Sequence, residues 1–206
     1  MTEVAAPVLV WFRRDLRLGD HPALAAAVAT GQPAVPVFIH DETVEALGAA
    51  AKWRLGEGLA VIAAALEARG ARLVLRRGPA RDVLLRLAAE TGAAAVHWSR
   101  VYDPAGIARD TAVKAALKAA GVAAESFPGA VLFEPWTVAT GAGTPYSVYT
   151  PFWRAVRTRD PGAPVGAPGP WRPPARWPGS DRLADWRMGG AVARGAPVLA
   201  RHAATG

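Results

Sequence analysis

Val8-Leu9-Val10-Trp11-Phe12-Arg13-Arg14-Asp15-Leu16-Arg17 is the stretch that decides the fold. Its apolar run is long enough for one buried strand and ends abruptly in Arg-Arg-Asp. A strand buried on both faces reads as an unbroken apolar run, as in parallel α/β sheets. Charges at its carboxyl end then lie at the rim of the sheet, where open α/β folds take their ligands. Taken alone, Arg13, Arg14 and Asp15 read more simply as a solvated loop with a local ion pair, because exposed pairs are common and weak.

Working outward, strand and helix signals alternate. Asp20-His21-Pro22 starts a helix with Pro in its first turn, the Ala-rich stretch 23–30 continues it and Gly31 ends it. Residues 34–39 read as a second strand. Residues 52–69 read as a long helix with Leu55, Leu59, Ile62 and Leu66 on one face and Gly70 as its stop. Strands three, four and five are predicted at 72–76, 94–98 and 122–127, separated by helices at 80–91 and from Asp103-Pro104 to Ala120. Short strands joined through helices imply right-handed crossovers and a mostly parallel sheet. The expected class is α/β: a five-stranded, doubly wound, Rossmann-like parallel sheet in the order 3-2-1-4-5. In that order strands one and four are neighbours, and a crevice opens between their carboxyl ends. Residues 13–20 and 99–104 converge there, with Phe38-Ile39-His40-Asp41 beside them.

After Gly129 the pattern changes. Residues 131–133 and 136–138 read as short extended pieces, and Thr150-Pro151 as the start of a short helix through Arg157. Residues 158–180 are rich in Pro and Gly and read as a linker or extended surface segment. Residues 181–206 lack clean periodicity and read as weakly ordered or as the beginning of something larger.

Composition narrows the functional classes. The chain has 206 residues, of which 51% are hydrophobic, which suits one globular α/β domain with an appendage. No apolar stretch reaches the length of a membrane span, no signal peptide is evident, and a cytoplasmic location is expected. Cysteine is absent, which excludes disulfides, thiolate metal sites and cysteine nucleophiles. The formal charge of +7 is compatible with a polyanionic partner. It is a soft signal, because Lys occurs only at 52, 114 and 118 and the basic residues are otherwise Arg in a chain rich in Ala, Gly and Pro.

Several motifs fail on context. Gly56-Glu57-Gly58 falls inside a predicted helix rather than a strand-to-helix turn, so it is no dinucleotide fingerprint. His21, His40, His97 and His202 lack ligand spacing, and no metal site is expected. Ser99 follows a strand without the glycines of a hydrolase elbow. No catalytic residue is assigned. The acidic residues at the strand ends carry more. Asp15, Asp41 and Asp103 approach one crevice, with Arg14 and Lys52 as counter-charges. They either cap helices and neutralise nearby Arg, or ring an apolar slot with Phe38 that suits a planar heteroaromatic ligand. The residues alone leave both readings open.

Two blocks break the tie. Trp11 to Leu24 (Trp-Phe-Arg-Arg-Asp-Leu-Arg-Leu-Gly-Asp-His-Pro-Ala-Leu) closely resembles the start of the photolyase/cryptochrome family. Gly143 to Trp153 (Gly-Thr-Pro-Tyr-Ser-Val-Tyr-Thr-Pro-Phe-Trp) resembles that family's segment near the end of its amino-terminal domain. The order and separation of the blocks also match. The resemblance implies an α/β domain able to hold an antenna chromophore, here residues 1–157, followed by a linker or tail at 158–206. It implies a helical domain that binds FAD and damaged DNA, and that domain is expected to be absent here. Positions matching the antenna slot fall on Arg14, Asp15, Phe38, Asp41, Lys52 and Asp103. Members with a folate antenna carry an Asn-Glu pair after strand four, where this chain has Ala105 and Gly106. That departure favours a deazaflavin or FMN antenna.

The family reaction is light-driven: the antenna passes excitation to reduced FAD, which splits cyclobutane pyrimidine dimers by a returned electron. Without the flavin beside the lesion, the chain alone is expected to be inactive. A blue-light signalling module of cryptochrome type and a free-standing nucleotide-binding domain remain the alternatives, and the sequence sets no oligomeric state. The aromatics of 146–153 are expected to pack the end of the α/β domain, with Trp11, Trp98 and Trp153 as core. Loss of a neighbouring domain is expected to leave an apolar face there.

Overall fold

The computed structural model describes residues 5–192 together with 195, 197, 198 and 201; His202 lies outside the described residues. Strands β1 (Val8–Phe12), β2 (Ala34–His40), β3 (Val74–Arg77), β4 (Ala95–Ser99) and β5 (Ala123–Phe127) form one sheet in the order 3-2-1-4-5. Each neighbouring pair is parallel, with Phe12 opposite Phe38 and Trp11 opposite Trp98. This is the topology that the alternating pattern predicts.

β1 and β2 are buried at every position, which is why their sequences are unbroken apolar runs. Their side chains still alternate between two cores. On one face Val8, Val10, Phe12 and Phe38 meet Leu24 of α1 (Pro22–Ala29). A short helix α2 (Glu42–Glu45) leads to α3 (Ala49–Glu67), whose Leu59, Ile62 and Leu66 complete that core. On the other face Leu9, Trp11, Val35 and Val37 pack on Leu84 and Leu87 of α4 (Ala80–Thr91) and on Val113 and Leu117 of α5 (Pro104–Ala119). Each such side chain contributes ~1.5–3 kcal/mol by leaving water. The two layers therefore hold β1 rigidly, and with it the loop that follows.

Several local expectations change. α3 begins at Ala49 rather than Lys52, and α2 stands where a loop was expected. The pieces expected to be extended at 131–133 and 136–138 form no strand; Pro135–Thr137 is a single 3-10 turn. Helix α6 (Tyr149–Val156) turns Val156 inward and leaves Tyr149, Phe152 and Trp153 exposed. Trp153 is thus not core, whereas Trp11 and Trp98 are. Exposed Leu132, Trp136 and Val148 add to the apolar face expected near this block.

The largest departure is the tail. Residues 171–188 do not drift away as a loosely ordered end: Trp171, Trp186 and Met188 are buried in the core on the α3 face of the sheet. Gly56 and Gly58 make room for this and for the β1 loop. A Cβ added at Gly56 would lie 3.1 Å from Met188 Cβ, and one at Gly58 would lie 3.1 Å from Leu16 Cδ1. The Gly-x-Gly of α3 is a packing feature.

Candidate functional site

A cavity of about 620 Å³ opens at the carboxyl ends of β1, β2 and β4. Its wall includes Arg14, Asp15, Phe38, Asp41 and Asp103, so five of the six residues expected at the slot border one space. Lys52 does not line it. Its ammonium lies 3.2 Å from Glu45 Oε1, at the end of α2.

The carboxylates differ in what they are free to do. Asp15 is buried at the end of β1, where its Oδ1 accepts from the Arg13 amide at 2.9 Å. Oδ2 lies 3.0 Å from His21 Nε2. His21 Nδ1 accepts from the Leu24 amide at 3.2 Å, so the ring proton belongs on Nε2, the nitrogen beside Asp15. Burial works to raise the Asp15 pKa. Donation from His21, the charge interaction with it, Ser99 and the Arg13 amide together outweigh burial and hold the carboxyl below the usual carboxylate range. Asp15 is therefore a fixed, charged strut.

Asp41 ends β2 and caps α2. Its Oδ1 accepts from the Thr43 and Val44 amides at 3.0 and 3.1 Å and from Thr43 Oγ1 at 2.6 Å. Its Oδ2 is paired with Arg109 Nη1 at 2.9 Å. Asp103 caps α5 by accepting from the Gly106 amide at 2.7 Å, and is otherwise exposed at the cavity mouth. The capping reading of the sequence thus holds for both, and it coexists with a place on the cavity wall.

The organising cation is one the sequence reading passed over. Arg109 of α5 lines the cavity and links Asp41 to Asp110, and Asp110 is bound in turn by Arg13 at 2.7 Å. Both guanidiniums lie over the buried Trp11 ring, at 4.7 Å for Arg13 and 4.9 Å for Arg109. Each such contact is worth ~0.5–2 kcal/mol, and the ring restricts where the cations sit. Burial is the main reason the Arg13 pKa lies below its ordinary value; Asp110 works against that shift. The signal for Arg109 was present in the sequence: Asp103, Gly106 and Arg109–Asp110 recur at helical spacing on the crevice side of α5.

Around the mouth, Arg17 Nη2 donates to the Gly129 carbonyl at 2.6 Å, and Arg100 pairs with Glu134, whose other oxygen accepts from Tyr102 at 2.9 Å. Burial and this hydrogen bond push the Tyr102 phenol up to about 12. Arg14 is exposed and makes no ion pair among the described residues. No cluster of metal-ligating side chains occurs among the described residues, and no helix there is long and apolar enough to cross a membrane.

Residues 8–170 match the family model for DNA photolyase. The deoxyribodipyrimidine photo-lyase of Agrobacterium fabrum is 46% identical over 189 residues, which cover 91% of this chain and 40% of that protein. Cryptochrome-1 of Arabidopsis thaliana is 36% identical over 166 residues, covering 78% of this chain and 24% of that protein. A crystal structure of a bacterial class III photolyase from Agrobacterium tumefaciens superposes with a TM-score of 0.87 at 46% identity, covering 91% of this chain and 39% of that one. The chain thus spans about two fifths of the length of the photolyase relatives. Because the matched region contains the whole sheet and every loop that walls the cavity, the chain belongs to the DNA photolyase family.

Proposed function

We propose that this chain is the antenna-type α/β part of a light-dependent DNA repair lyase, and that the cavity at the ends of β1, β2 and β4 is its chromophore slot. One observation carries the reading. A space of about 620 Å³ sits at the sheet's switch point, walled by Phe38 and Leu55 and edged by charged side chains fixed in place. Ligand sites of this kind run from roughly 300 to 1,000 Å³, apolar with a few placed polar groups.

The residues fit a planar heteroaromatic group. Phe38 supplies an apolar wall, Arg109 supplies the guanidinium donor, and Arg14 and Asp103 stand at the mouth. Asp41 acts by holding Arg109 and Thr43, and Asp15 by fixing the loop after β1. Lys52 has an indirect part, steadying Glu45 at the end of α2. A deazaflavin or FMN suits the slot better than folate. A Cβ at Gly106 would lie 2.5 Å from Val101 Cγ2 and 2.8 Å from Asp103 Oδ2, so a Glu side chain there requires Val101 and the capping Asp103 to shift. When bound, the antenna supplies light absorption and passes excitation onward to FAD.

Residues 1–157 are assigned to the antenna domain and 158–206 to the connection, of which 171–188 pack back onto the α3 face of that domain. Binding of FAD and damaged DNA, and dimer splitting, belong in this reading to a full-length cytoplasmic enzyme with a helical domain. The chemistry needs flavin beside the lesion, so the 206-residue chain repairs little or nothing alone. The similarity to a plant cryptochrome supports light signalling as the second reading. A dimer-repair assay on the full-length gene product separates them: photoreversal supports the first and its absence the second.

The test of the slot is a titration of the purified chain with FMN, a deazaflavin and a methenyl-folate, followed by absorption. Saturable one-to-one binding of a flavin-type ring is expected. Ala105→Trp, which fills the mouth, abolishes it, and Asp103→Ala weakens it without unfolding the chain. Absence of binding for all three, or undiminished binding by Ala105→Trp, overturns the reading.

A further inference from the structure

The segment from Trp171 to Gly190 follows a defined track around the sheet. Trp171 Nε1 donates to the Ala34 carbonyl at 3.0 Å, and the Ala34 amide donates to the Arg172 carbonyl at 3.2 Å, so the track starts at the amino end of β2. It then runs along the otherwise free edge of β3. The Leu75 amide donates to Ser180 Oγ at 2.9 Å, and the Asp181 amide donates to the Leu75 carbonyl at 2.9 Å. Covering an edge strand in this way satisfies its unpaired polar groups.

At the carboxyl end of the sheet the segment turns inward. Trp186 Nε1 donates to Asp181 Oδ2 at 3.2 Å, and its ring centroid lies 6.0 Å from that of Phe38 and 5.2 Å from that of His40. Phe38 is itself a wall of the cavity. Arg187 then takes a left-handed backbone conformation with φ 48°, which a non-glycine residue holds when its surroundings impose it. Met188 follows, seated at Gly56, and a Cβ at Gly189 would lie 3.0 Å from Trp53 Cδ1. Trp53 and Gly56 flank Leu55, a second wall of the cavity.

We infer that residues 183–190 back the wall of the cavity from behind, with Trp186 and Met188 as positioning residues that fix Phe38 and the first turns of α3 on either side of the space a planar ring would fill. Neither touches the cavity itself. They act through one layer of side chains, and because interiors are close-packed a change in that layer is transmitted rather than absorbed. This segment lies beyond the part matched by the family model, which ends at residue 170, and within the length matched by the Agrobacterium photo-lyase. The inference rests on the chromophore reading of the cavity, and its test is built to fail separately.

Four variants are compared with the wild type by titration with FMN and by hydrogen exchange. Trp186→Leu and Gly56→Val, the latter unseating Met188 from the helix side, are expected to weaken FMN binding at least tenfold. Trp186→Phe, which keeps a ring against Phe38, is expected to retain it within threefold. Val113→Ala, in the opposite core, is expected to lose stability without losing affinity. Exchange at the amides of Ile39, His40 and Leu55 is expected to quicken in Trp186→Leu while that of β4 and β5 stays unchanged. If the wild type binds FMN and Trp186→Leu binds it equally, the inference is wrong and the chromophore reading stands. If the wild type binds none, the chromophore reading fails; the exchange measurement then decides the wall, and unchanged exchange at Ile39, His40 and Leu55 overturns it.

Discussion

Two aromatic segments lie outside the strand-helix alternation, and they meet opposite fates. Tyr149, Phe152 and Trp153 of α6 face solvent, with Tyr149 and Trp153 stacked on each other at an interplanar angle of 6°. Trp171, Trp186 and Met188 enter the core. Side-chain type does not separate them; the seat does. The second segment finds an uncovered strand edge at Leu75 and a groove at Gly56, so its backbone polar groups are met as its rings are buried. α6 buries Val156 and leaves its aromatic stripe unmatched by anything in the described structure. Exposed stripes of this kind mark interaction surfaces.

The comparison is broken most forcefully by truncating one ring on each side. Trp186→Ala is expected to cost ~3–5 kcal/mol in urea unfolding, as large-to-small core changes do. Trp153→Ala is expected to stay within ~0.5 kcal/mol, as surface changes do, and to reduce self-association in light scattering. Equal losses at the two sites would erase the distinction. Gly56→Val tests the groove from the other side. Overpacking against Met188 is expected to cost ~1–3 kcal/mol, despite the better helix propensity of most residues over Gly.

Smaller effects come from pH. His40 lies tilted against Trp186; burial, then the charge of Arg77, lowers its pKa, with Glu45 and Asp41 opposing and Lys52 adding to the shift. The unfolded chain takes up this proton near pH 6.5 and the folded one only at lower pH. His40 therefore contributes fully above pH ~6.5, and stability falls as pH drops from there towards the folded value, by at most ~1.4 kcal/mol per pH unit. His97, lowered mainly by burial, acts in the same direction. His40→Gln is expected to flatten part of that slope in unfolding titrations between pH 7 and 5, and an unaltered slope would contradict the assignment. Asp15 acts in a more acid window. Its depressed pKa gives stability that is complete above pH ~4 and is lost as pH falls through the folded value. Asp15→Asn should remove that acid dependence.

The sheet was legible because its information is local. Apolar runs such as Val8–Phe12 and stops such as Gly31, Gly70 and Gly92 mark strands and helix ends without reference to distant residues. The convergence of Asp15, Phe38, Asp41 and Asp103 followed from strand order alone. The remainder depended on partners remote in sequence. Arg109 becomes a site residue only once Asp41 and Trp11 are placed beside it. The burial of Met188 depends on a groove at Gly56, in a helix that carries no hint of a visitor. α2 is too short to show a helical period, and Lys52 looks like a slot residue until Glu45 is seen to hold it.

The central claim is that a planar chromophore occupies the space between Phe38 and the start of α5. The most direct measurement is an amide chemical-shift map of the chain as FMN is added. The account predicts saturable shifts at Asp41, Thr43, Ser99, Gly106, Arg109 and Gly129, all on the wall of the cavity or next to it. Shifts confined to Tyr149–Val156, with the cavity amides unmoved, would contradict it.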